Sequence, residues 1–136
     1  MAVRTAVLRC HIWLVASLIP LLDRLLSLAG LLRLLTPHRP WKLYRGLGSQ
    51  PVVQAVRRRL GRPTHMRRRA CLRLGITLYH FLRLAGLPAQ LRFGVYPPQT
   101  QGGRRMHGHC WVLLNGRCLA DPPDEPVVQV LVWPAS

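Results

Sequence analysis

Three side chains in this sequence could together do nucleophilic chemistry: the thiol of Cys71, the imidazole of His109 and the carboxylate of Asp121. A thiol becomes a useful nucleophile when a base or a positive field makes it thiolate. The base works best when a third group fixes its tautomer. Such a set supports acyl transfer through a thioester, with the imidazole taking and returning the proton. A metal site is the competing use of the same stretch, since His107, His109, Cys110 and Cys118 are all soft ligands. An H-x-H-C run on a strand splits those ligands between two faces, and the chain has no C-x-x-C pair. Neither a metal nor a cofactor is therefore expected.

The elements that must position the three residues are legible around them. From Ala70 to Ala85, Leu72, Ile76, Tyr79, Leu82 and Ala85 recur at steps of three and four, which predicts a helix with one apolar face. Gly86-Leu87-Pro88 closes it, because glycine accepts the left-handed C′ conformation and proline cannot continue the helix. Cys71 then falls in the first turn, where unpaired backbone N–H groups favour negative charge. Arg67, Arg68, Arg69 and Arg73 add positive field, so the thiol pKa is pushed down. The Cys71 backbone N–H is a natural oxyanion donor, and Gln50 and Gln54 are candidates for the second. Downstream, HCWVLL and RCLAD flank Asn115-Gly116, a strong hairpin signal. A strict two-residue loop pairs Cys110 with Asp121 and turns His109 and Asp121 to opposite faces. A three-residue loop with a bulge at Gly116 pairs His109 with Asp121 directly, and the proposed chemistry calls for that register. His107 shares a face with His109 and competes for the base role.

These residues resemble a known family. The pattern R-x-C-L, a helix ending in G-L-P, a strand L-R-F-G-V, then G-H-C-W-V and N-G-R with an aspartate twelve residues after His109 is similar to the transglutaminase-like cysteine peptidases. More closely it resembles the small B2-type leader peptidases of lasso-peptide biosynthesis. The resemblance runs from Arg57 to Pro134 and puts Cys71, His109 and Asp121 at the nucleophile, base and orienting-acid positions. It departs at Cys110, where the family more often has alanine, and in the unusually apolar outer face of the hairpin. It implies an α+β, papain/transglutaminase-like fold, with N-terminal helices and the nucleophile helix packed on an antiparallel sheet. It implies, too, that the substrate is a ribosomally made precursor peptide from which the leader is removed. No winged-helix leader-reading module is legible, so a separate B1-type leader-recognition protein would present the leader, and a lasso cyclase would take the freed amine.

Composition sets the remaining bounds. At 136 residues the chain is long enough for one real core and too short for two. Lys+Arg total 20 against 4 Asp+Glu, a formal charge of +16, and Lys42 is the sole lysine. Such a surface suits an acidic peptide, anionic lipid or nucleic acid. Nucleic acid is not expected, because stacking aromatics are not interleaved with the basic residues and the densest basic run, Arg67 to Arg69, abuts Cys71. Cys10, Cys71, Cys110 and Cys118 form no dense disulfide pattern, which points to reduced thiols and a cytoplasmic location. Cys110 and Cys118 read as small core hydrophobes on strands.

Residues 1–48 read as an N-terminal amphipathic helical segment and linker, and 49–136 as the transglutaminase-like peptidase domain. Ile12 to Leu22 is an apolar run after Arg4 and Arg9, with a Ser27-Leu28-Ala29 triplet like a signal cleavage site. As a membrane span it is short of the about 20 residues needed. Leucines at 18, 21, 22, 25, 28, 32 and 35 instead predict an amphipathic helix or helical hairpin bent near Pro20, packed on the domain, with peripheral membrane contact as the alternative. Thr36 to Ser49 is a linker in which Trp41 and Tyr44 anchor to the core or meet a partner. Pro51 to Leu60 is a short helix burying Val52, Val53 and Val56, and Gln90 to Tyr96 and Val127 to Trp133 are strands. Pro97 to Arg105 is a loop placed to line a cleft. The competing class of function is a non-enzymatic basic scaffold at a membrane or on RNA.

Overall fold

A computed structural model of the chain describes residues 2–60, 70–96, 107–120 and 127–134, with the backbone alone at 70, 71, 96, 107 and 120. Among the described residues four helices come first: α1 (Ala2–Leu25), α2 (Leu28–Leu35), α3 (Ser49–Leu60) and α4 (Ala70–Leu84). The strands are β1 (Ala89–Tyr96), β2 (His107–Leu114), β3 (Arg117–Ala120) and β4 (Val128–Trp133). They form one antiparallel sheet in the order β3-β2-β1-β4. This is the expected α+β arrangement, with α4 packed on the sheet.

One face of the sheet carries the core. Leu91 of β1 lies opposite Val112 of β2, and Ala89 opposite Leu114, and all four are buried. α4 packs on this face, and its Leu74, Leu78 and Leu82 join the same buried cluster. Gly86 takes φ +86° after α4, and the Leu87 N–H closes on the Leu82 carbonyl at 3.0 Å, so the helix stops where Gly-Leu-Pro predicts. Leu8, Ile12 and Ile19 of α1 and Val52 and Val56 of α3 belong to the same hydrophobic cluster as α4.

α1 runs through Pro20 without ending. Proline has no N–H, so the Ala16 carbonyl, which a helix would bond to residue 20, loses its partner. Arg73 replaces it: its Nε donates to that carbonyl at 2.7 Å, from a position two residues past Cys71. Burial, and secondarily the nearby Arg59 guanidinium, pushes the Arg73 pKa down. α2 starts on Ser27, whose Oγ accepts from the Gly30 N–H at 3.1 Å. At its far end Thr36 ties three elements together. Its hydroxyl meets the Leu32 carbonyl at 2.6 Å, the Tyr79 hydroxyl at 3.0 Å and the indole Nε1–H of Trp133 at 2.9 Å.

The segment expected to be a linker is partly core. Tyr44 is fully buried, with its hydroxyl 3.0 Å from Nδ1 of His11, while Trp41 remains exposed. Burial, with Cys10 adding to it, pushes the Tyr44 phenol up to about 12. His80 sits nearby with Nδ1 at 2.6 Å from the Leu35 carbonyl, and its ring meets that of His11 edge-on. Burial lowers both imidazole pKa values, against the hydrogen bond to Leu35 in the case of His80.

Candidate active site

Cys71 is the second residue of α4, so its backbone stands in the first turn as the periodicity predicts. One turn further on, Gly75 is pressed against the sheet. A Cβ built there would lie 2.6 Å from Sγ of Cys110 and 3.2 Å from Cδ1 of Leu91. Glycine is what lets α4 approach β2 this closely. β2 runs antiparallel to β1, and Gly75 of α4 meets both strands, at Cys110 and at Leu91. Cys71 stands one helical turn before Gly75 in α4, and Gly108 and His109 stand just before Cys110 in β2. Gly108 is exposed, and the nearest described atom to a Cβ there is the Gly94 carbonyl oxygen at 3.9 Å.

Strand alternation separates the neighbours of Gly108. Cys110, Val112 and Leu114 are buried on the face that carries α4. His109 and Trp111 point to the other face, where their rings stack with centroids 5.9 Å apart and an interplanar angle of 20°. The indole lies across Gly94, the residue paired with His109: a Cβ on Gly94 would fall 3.0 Å from Cη2 of Trp111. Trp111 thus gives the imidazole a flat, rigid support, and Gly94 makes room for it. Sequence reasoning passed over both as positioning residues. A strand-interior glycine opposite H-x-W was the available signal.

The hairpin corrects the expected register. Asn115 and Gly116 take φ 51° and 81°, so they form a two-residue turn with Leu114 opposite Arg117, not the three-residue loop. Both residue types accept left-handed backbone, which is why the tighter turn forms. A second irregularity follows. Leu113 pairs with Cys118 but Val112 pairs with Ala120, leaving Leu119 as an extra residue that packs on the core. Without it, Asp121 would have stood opposite Cys110. Cys118 is exposed on edge strand β3, opposite Leu113, and is not the core residue expected, whereas Cys110 is buried. The Cys71 thiol, the His107 side chain and Asp121 lie outside the described residues, as do Arg67 to Arg69 and the loop from Pro97 to Arg105. Of the candidate oxyanion donors, Gln54 is on α3 with its side chain exposed, and Gln50, the second residue of that helix, is also exposed. Among the described residues no group of three or more His, Cys, Asp or Glu is placed to hold a metal ion.

The family model for the transglutaminase-like superfamily matches residues 13–131, so the chain belongs to that superfamily. No curated protein and no solved structure matches the chain. The match begins within α1, so the N-terminal helix is part of the family unit from residue 13 onward.

Proposed function

We propose that this protein is a cysteine peptidase that removes the leader from a ribosomally made precursor peptide of the lasso type. The observation that carries the proposal is Cys71 in the first turn of α4, a helix that packs through Gly75 on Cys110, the strand neighbour of His109, in a chain of the transglutaminase-like superfamily. In this reading the Cys71 thiolate attacks the scissile carbonyl, and His109 delivers a proton to the departing amine of the core peptide. Water, deprotonated by His109, then releases the leader from the thioester. Asp121 orients the imidazole, and the Cys71 N–H stabilises the oxyanion.

The reading makes two geometric demands. The imidazole must reach the thiol past the start of β2, where Gly108 has no side chain to obstruct it. Asp121 must lie on the His109 face. An unshifted two-residue hairpin would forbid that, and the extra residue at Leu119 removes the obstacle.

The reaction belongs in the cytoplasm, with a B1-type protein to present the leader and a cyclase to use the new amine. Reconstitution tests this. The purified chain alone should cleave precursor slowly, and the recognition protein should raise the rate by about two orders of magnitude or more through effective concentration. Full activity of the isolated chain, unaffected by the recognition protein, counts against a split system.

A further inference from the structure

α1 has two apolar sides. One is buried in the core through Leu8, Ile12, Val15 and Ile19. The other carries Trp13, Leu14, Leu18, Leu21 and Leu25 at steps of one, three and four, and Trp13 is 58% exposed, Leu21 53% and Leu25 71%. Single exposed leucines are ordinary, but a ridge running along a helix marks an interaction surface. Expectation and structure differ on length here. The apolar run from Ile12 to Leu22 is too short to span a bilayer, yet the helix that contains it is long and apolar enough by length and composition.

We propose that this ridge docks the protein on an anionic bilayer surface, with α1 lying in the interfacial plane. Charge identifies the occupant. The chain carries +16, Arg9 and Arg24 are exposed on α1, and its acidic residue, Asp23, is half-buried on the core side. Anionic lipid attracts such a surface. A second copy of the same chain, also at +16, is repelled by it. Trp13 suits the headgroup boundary, and Arg9 and Arg24 reach the phosphates along the flank of the ridge. The inner side of α1 holds the helix to the protein, since the core and the Arg73 bond to the Ala16 carbonyl depend on it. α1 therefore rests on the bilayer and does not cross it. This inference stands independently of the peptidase reading.

Vesicle sedimentation of the full chain tests it, using phosphatidylcholine vesicles with and without phosphatidylglycerol. The chain should pellet with the anionic vesicles, stay in solution with the neutral ones and be released by high salt. The triple substitution Leu14→Ser, Leu21→Ser, Leu25→Ser should weaken binding about a hundredfold. Arg9→Gln with Arg24→Gln should weaken it roughly tenfold. In the unmutated chain, brominated lipid should quench a tryptophan signal that Trp13→Phe removes. That readout holds even if the serine variant folds poorly. Absence of pelleting, pelleting indifferent to both sets of substitutions, or resistance to high salt and alkaline wash that signals a span would each overturn the proposal. So would a ridge-dependent dimer in solution that does not bind vesicles.

Discussion

Cys71→Ala should fold and should not cleave. It removes one sulfur from the first turn of α4, where alanine is a good helix former. The loss of stability should stay within about 1–2 kcal/mol, the usual scale for one substitution. Precursor cleavage should fall by about a thousandfold or more, because no other group can form the thioester. His109→Ala should be nearly as damaging. Asp121→Asn should cost less, since an orienting acid acts through the imidazole. His107→Ala is the internal control and should keep most of the activity. A dead His107→Ala beside a normal His109→Ala would move the base role by one position on the same face. Chromatographic separation of leader and core peptide, with the recognition protein present, reads all four.

The second large effect is on packing. Gly75→Ala should destabilise the protein by about 1–3 kcal/mol, the range for overfilling a packed core. The new Cβ would lie 2.6 Å from Sγ of Cys110, a buried side chain that can answer only by swinging into its packed neighbours. The sign is informative, because in an ordinary exposed helix the same change is stabilising by about 1 kcal/mol. Cys110→Ala removes the sulfur, and the double variant should recover most of the loss, leaving the 3.2 Å contact to Leu91. Urea midpoints of the four proteins give the coupling. Gly75→Ala more stable than the parent would mean that α4 does not approach β2 this closely.

Much of this was legible because local chemistry and global fold agree. Gly86-Leu87-Pro88 ends α4 where it predicts, and Val52, Val53 and Val56 are the buried face of α3. Asn115-Gly116 marks the hairpin but does not determine what happens four residues later. The extra residue at Leu119 is set by packing against the core, which leaves no local signature, and so the register and the exposure of Cys118 were misread. Pro20 leaves the Ala16 carbonyl without its helical donor, and Arg73 supplies one, a contact across 57 residues that periodicity cannot reveal. For Tyr44, in a proline- and glycine-rich stretch, composition left open whether the ring anchors to the core or meets a partner, and it is the core that it fills. The candidate triad could be named from residue types and order. Its geometry depends on pleat parity, and one inserted residue reverses that.

The central claim, that Cys71 is an activated nucleophile, is tested most directly by its alkylation rate. The other cysteines provide the scale: Cys10 and Cys118 are exposed and Cys110 is buried. Mildly acidic buffer keeps an ordinary thiol, with a pKa of about 8.5, almost wholly protonated and slow. A thiol at a helix start, with Arg67 to Arg69 just before it in the sequence, is expected to keep more thiolate there. Pulse labelling with iodoacetamide, read by intact mass and peptide mapping, should modify Cys71 at least about tenfold faster than Cys10 or Cys118. His109→Ala should reduce that advantage. Labelling of Cys71 no faster than Cys10 or Cys118 would contradict the account.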